Sequence, residues 1–194
     1  MAIPEPVLDS LFSLAYSPTE NHNRPATTRA RRSVTTASPE VVSYDTVVNM
    51  KFKVKGGSAD YLQVTSGSSN VILAPQDEHS AAACFRVHRF DVLNPYPEGG
   101  QVVVFESHDG NRFIQGASSG DLVITDGSSR RLQEVTQTDN RFFLLYSDQG
   151  DNHLKIKHLH AGLFLSATHS RVSLVSPTGV FSDPMFFEGF QCTH

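Results

Sequence analysis

Residues 102–127 read VVVFESHDGNRFIQGASSGDLVITDG. Val102 to Ser107 is β-branched and apolar, with Phe105 inside it. His108-Asp109-Gly110-Asn111 is turn chemistry, because Asp and Asn tolerate left-handed backbone and Gly supplies positive φ. Phe113-Ile114 opens a second strand, Ser118-Ser119-Gly120-Asp121 makes another turn, and Leu122 to Thr125 makes a third strand. The same stretch holds Ser107, His108 and Asp109 in a row. Successive residues of an extended chain point to opposite faces, so these three cannot converge as nucleophile, base and orienter. The hairpin reading stands and the catalytic one does not.

The pattern recurs along the chain. Tyr61-Leu62, Phe113-Ile114 and Phe164-Leu165 are spaced by 52 and 51 residues. A glycine-bearing turn precedes each, at Gly57, Gly110 and Gly162. Before the turn lies an alternating apolar strand: Met50-Phe52-Val54, Val103-Phe105 and Leu154-Ile156. After the hairpin comes a third strand, Val71-Leu73, Leu122-Ile124 or Val172-Leu174. Each unit closes on an aromatic-rich strand: CFRVHRF, RFFLLYS and MFFEGFQ. No helical period appears. Three copies of a four-strand unit predict an all-β fold, a single β-trefoil of twelve strands over residues 44–194. The paired aromatic and aliphatic residues of each second strand are expected to fill the barrel interior in layers.

The first 43 residues differ. They hold five of the ten prolines and only two aromatics, Phe12 and Tyr16. From Tyr16 to Glu40 there is almost nothing to bury, which predicts a disordered tail. Within it Leu8, Leu11 and Phe12 fall on one face of a short helical pattern, a candidate docking segment for a partner groove. Arg29, Arg31 and Arg32, followed by Ser33, resemble a basic processing site of the furin type, and exposed tail is where proteolysis happens. Pro4, Pro6 and the acidic residues around them leave no secretory signal of the usual form.

Composition narrows the function classes. The 194 residues contain thirteen Phe, no Trp and two cysteines, Cys84 and Cys192, which are either free thiols or one bridge. Residues 44–194 carry 12 Lys and Arg against 16 Asp and Glu. That balance gives no phosphate-neutralising surface for nucleic acid. No apolar run reaches the ~18 residues of a membrane span. Lys51, Lys53 and Lys55 alternate with Phe52 and Val54 and share one strand face; Lys155 and Lys157 flank Ile156 in the equivalent strand. Together they form a candidate basic strip for an acidic partner. His158 and His160 share a face near a turn, but no third ligand stands at metal-site spacing. No phosphate loop, paired carboxylates or activated nucleophile is visible, so neither an enzyme nor a cofactor is expected.

GLFLSATHSRVSL and GNRFIQGASSGDLVI resemble the Gly-aromatic-Leu-Ser-Ala hairpins of fascin-type and hisactophilin-type trefoils. That resemblance implies a non-enzymatic, cytoplasmic, monomeric adaptor with a cytoskeletal protein, such as actin, as partner. FLSATHSRVSLV, residues 164–175, is partly similar to the interleukin-1 branch, which sits beside the fibroblast-growth-factor trefoils. That second resemblance implies a cytokine-like ligand of a cell-surface receptor, secreted without a signal peptide and trimmed after Arg32. A β-trefoil lectin is the second alternative, with the ricin type disfavoured because its Gln-x-Trp motif needs Trp.

Overall fold

A computed structural model describes residues 39–56, 60–65, 67–75, 81–117, 119–147, 152–168, 171–177 and 181–192. The tail positions singled out above, Leu8, Leu11, Phe12, Arg29, Arg31 and Arg32, lie outside them. Twelve strands run in chain order: β1 Val42–Val54, β2 Asp60–Gln63, β3 Ile72–Pro75, β4 Phe85–Val92, β5 Gln101–Ser107, β6 Arg112–Gly116, β7 Leu122–Asp126, β8 Phe142–Tyr146, β9 Lys155–His158, β10 Phe164–Thr168, β11 Arg171–Val175 and β12 Phe187–Gln191. One helical turn, α1 Ser129–Leu132, interrupts the second unit. Every strand predicted from the threefold pattern is present, and the fold is a β-trefoil.

Six strands make the barrel. β1 pairs β12 and β4, β4 pairs β5, β5 pairs β8, and β8 pairs β9, all antiparallel. The Leu154↔Phe187 bridge closes β9 onto β12. The other six strands form three hairpins, β2–β3, β6–β7 and β10–β11. Hairpins meet one another through the Arg171↔Ile72 pair and through Ile124 N to Ser69 O and Leu174 N to Gly120 O bonds of 3.1 and 2.8 Å. The quoted turn has the predicted backbone, with Gly110 at φ 79° and Asn111 at φ 61°.

Each barrel strand sends one large side chain inward: Phe52, Phe85, Phe105, Phe143, Ile156 and Phe187. Phe105 meets Phe52 and Phe143 edge-on, with centroids 5.5 and 5.4 Å apart. The space left among these residues and the hairpin side chains is about 10 Å³, room for no more than a water. A second core lies outside the barrel wall, around Phe90, Phe113, Leu132, Phe142, Leu144 and Phe164.

Two expectations need correcting. In the hairpins only the aliphatic member, Leu62, Ile114 or Leu165, enters the inner core. Its aromatic neighbour cannot, because adjacent strand residues face opposite ways; Phe113 and Phe164 pack in the outer core instead. The domain also starts earlier than residue 44. Val42 already lies in the outer core, and Glu40 N donates to Thr138 Oγ1 at 3.0 Å.

Candidate interaction face

β1 alternates cleanly between core and surface at its end: Met50, Phe52 and Val54 are buried, while Lys51, Lys53 and Lys55 are half-buried on the outer face. Register sets their neighbours. Lys51 lies opposite Phe190, and Lys53 opposite both Glu188 and Tyr61. Lys51 Nζ stands 5.5 Å over the Tyr61 ring, which is 6.5 Å from the Phe190 ring. Lys55 Nζ stands 5.0 Å over Phe186 and 3.6 Å from Asp183 Oδ1. His153 Nε2 approaches Glu188 Oε1 at 3.7 Å. The result is a lysine row edged by half-buried aromatic rings. Such a surface can hold an acidic, partly apolar partner through charge and ring contact.

The third unit does not extend this row. Lys155 is 4% exposed. Its ammonium lies 4.2 Å from the Phe181 centroid, 5.4 Å from Phe186 and 5.8 Å from Tyr146. The pleat aims it outward as predicted, but the segment around Phe181 and Phe186 folds over it. Lys157 faces out but pairs with Glu98 and covers the Phe164 ring at 5.9 Å. Of the five lysines, Lys51, Lys53 and Lys55 form the continuous face.

Ser107, His108 and Asp109 behave as the strand argument requires. Ser107 Oγ donates to Asp109 Oδ1 at 2.5 Å, His108 is exposed, and Asp109 also pairs with Arg112.

The sequence reading missed a buried polar hub. Glu106 has no exposed surface. Its Oε1 accepts from Ser129 Oγ at 2.6 Å and from Asn111 N at 2.8 Å. Its Oε2 is 2.7 Å from His88 Nε2 and 3.1 Å from Arg86 Nη1. His88 Nδ1 is 3.2 Å from the Tyr44 hydroxyl. Burial pushes His88 below its ordinary pKa, and the hydrogen bond to Glu106 offsets this only in part. Burial acts to raise Glu106, but the bonds from Ser129, His88 and Asn111 outweigh it and hold the carboxyl below its usual range. A neutral His88 donating from Nε2 to an ionised Glu106, and accepting from Tyr44 at Nδ1, satisfies every group. The hub braces β4 against β5 and α1, with Glu106 and His88 sealed inside it and Arg86 reaching its surface.

His158 is also buried. Its Nε2 meets Asn140 O at 3.0 Å and its Nδ1 accepts from Ala161 N at 3.1 Å. No cluster of His, Cys, Asp and Glu suited to a metal occurs among the described residues. No helix among them is long and apolar enough to cross a membrane. Of the two open alternatives for the cysteines, the structure has the bridge: Cys84 and Cys192 form a disulfide with Cα atoms 6.2 Å apart, tying the start of β4 to the chain after β12.

No family model matches the chain, and no curated protein matches it. Solved structures do. A designed threefold-symmetric protein, ThreeFoil, is similar with a TM-score of 0.53 and 15% identity, over 74% of this chain and 99% of that one. The BEL β-trefoil gives 0.54 and 12%, over 75% and 93%. SeviL, solved bound to asialo-GM1 saccharide, gives 0.55 and 7%, over 76% and 100%. At these identities the similarity concerns the fold alone.

Proposed function

We propose that this chain is a non-catalytic β-trefoil ligand of a cell-surface protein, acting in an oxidising compartment. Of the two resemblances met in the sequence, this is the cytokine-like one rather than the cytoplasmic, fascin-like adaptor. The Cys84–Cys192 disulfide carries the choice. Disulfides persist outside the cell and in the secretory lumen and are rare where glutathione keeps thiols reduced. The packed barrel supports recognition on the outside of the fold, and the face of Lys51, Lys53 and Lys55 with Tyr61, Phe186 and Phe190 is the proposed contact surface. Tail removal after Arg32 would free the trefoil from a 32-residue extension.

The test compares full-length protein, a chain beginning at Ser33, and a Lys51→Glu/Lys53→Glu/Lys55→Glu variant. Each is assayed for binding to intact cells and for co-sedimentation with actin filaments, oxidised and reduced. Saturable cell binding by the oxidised trimmed form, lost after surface proteolysis and weakened at least about tenfold by the triple change, is expected. Actin co-sedimentation by the reduced protein without cell binding would return the adaptor reading. Cell binding removed by glycosidases and indifferent to proteases would make the protein a lectin.

A further inference from the structure

Where the three hairpins meet, the start of each third strand lines one depression of about 320 Å³. Its buried lining comes from Val71, Leu122 and Val172, one from each unit. The residue before each of these is exposed and stands on the rim: Asn70, Asp121 and Arg171. The threefold pattern is therefore kept in the apolar floor and broken at the rim. An amide, a carboxylate and a guanidinium occupy equivalent positions around one axis.

The two rim charges do not neutralise each other. Among the described residues the Asp121 carboxylate accepts only from Ser119 Oγ, at 2.8 Å, and Arg171 forms no ion pair or side-chain hydrogen bond. Hairpin contacts hold the backbones that carry them side by side, since Arg171 is paired to Ile72 and Gly120 O accepts from Leu174 N. An acid and a base on the rim of one depression are complementary to a molecule carrying both charges. A lone anion drawn to Arg171 meets Asp121 as a like charge, and a lone cation drawn to Asp121 meets Arg171. This argues against phosphates and simple amines alike.

We propose that the hairpin junction is a binding site for a small zwitterion of the α-amino acid class. The ligand carboxylate takes the Arg171 fork, whose planar donors match it bidentately. Its ammonium donates to Asp121. The Asn70 amide, donor and acceptor at once, meets whichever group remains. A short aliphatic side chain rests on Val71, Leu122 and Val172. The volume sits at the lower end of the ~300–1,000 Å³ of small-molecule sites, ample for a free amino acid. This site is independent of the lysine face on β1 and of the compartment proposed above.

The experiment is an amide NMR titration of the full-length, isotope-labelled protein with L-alanine, and separately with methylammonium, acetate and galactose. L-Alanine is expected to give saturable shifts centred on Asn70, Asp121, Leu122, Arg171 and Val172 in the millimolar range. Methylammonium and acetate are expected to bind at least about tenfold more weakly. Arg171→Gln and Asp121→Asn each weaken alanine binding by a similar factor, and the dispersion of the same spectra reports that the fold is intact. Both side chains are exposed, so neither change removes a core contact. Absence of saturable shifts at tens of millimolar alanine overturns the proposal. So does equal binding of acetate or methylammonium, saturation of these amides by galactose with alanine inert, or alanine binding unaffected by both variants.

Discussion

Glu106→Gln removes one charge from the buried hub while keeping its shape. The amide oxygen can still accept from Ser129 and Asn111, which share Oε1 in the wild type. The other end changes: an NH₂ now faces His88 Nε2 and Arg86 Nη1, which stood 2.7 and 3.1 Å from Oε2. Two charge-assisted contacts at ~1.5–3 kcal/mol each are lost. His88 recovers part of this by changing tautomer, so that Nε2 accepts from the new amide and Nδ1 donates to Tyr44. Arg86 is partly exposed and can turn to water. The net cost is about 3 kcal/mol, which in a domain of this size lowers Tm by roughly 6–12 °C at neutral pH. The pH dependence supplies a second reading. Glu106 titrates below its ordinary range, so its stabilisation is present above the unfolded-state pKa and is lost as pH falls through the folded one. Calorimetry of both proteins should therefore show a gap that narrows in acid. A variant melting within a degree of wild type at pH 7, or a gap that stays constant through the carboxylate range, would refute the account of the hub.

Phe113→Ala empties a fully buried site in the outer core and should cost ~3–5 kcal/mol by denaturant melts; an unmoved midpoint would mean the repeats are misaligned. Cys192→Ser opens a bridge between residues 108 apart and should cost about 2–5 kcal/mol, with wild type losing a similar amount under reductant and the variant none. Burial lowers the pKa of both His88 and His158, so the unfolded chain binds more protons just below the ordinary histidine range. Stability is then complete above about pH 6.5 and falls on acidification towards the folded values, by at most ~1.4 kcal/mol per pH unit for each histidine. A protonated His158 Nδ1 would also confront the Ala161 N–H it accepts from. His158→Asn should flatten that slope, and a slope unchanged in the variant would count against it.

The strands were legible because each unit repeats one alternation between core and surface. Phe52, Phe105 and Ile156 had to face the same way, and they do. What the alternation does not encode is what lies above an outward position. Lys53, Glu106 and Lys157 are register equivalents, paired to Tyr61, Phe113 and Phe164. Lys53 stays half-buried, Lys157 reaches Glu98, and Glu106 is sealed by α1 through Ser129. Those outcomes depend on connecting segments of irregular length, which carry no period. Lys155 is buried for the same reason, beneath rings that arrive from residues 181 and 186. The disulfide was equally illegible, since two cysteines far apart in sequence meet only once β12 closes the barrel.

Symmetry gives these differences a direction. A threefold repeat can tolerate change only where a side chain has no counterpart to fit against. The inner core cannot diverge far, because six large residues fill the barrel and leave about 10 Å³. The three units part at outward positions: lysine, glutamate and lysine on the first strands, asparagine, aspartate and arginine at the hairpin junction. In the second unit the divergence was absorbed into stability, as a hub with every hydrogen bond satisfied. In the first unit and at the junction it was left at the surface. A polar group that the interior does not need, held in place by a scaffold that cannot move, is the arrangement binding requires. The recognition chemistry of this chain is therefore to be sought at the positions where its repeats disagree.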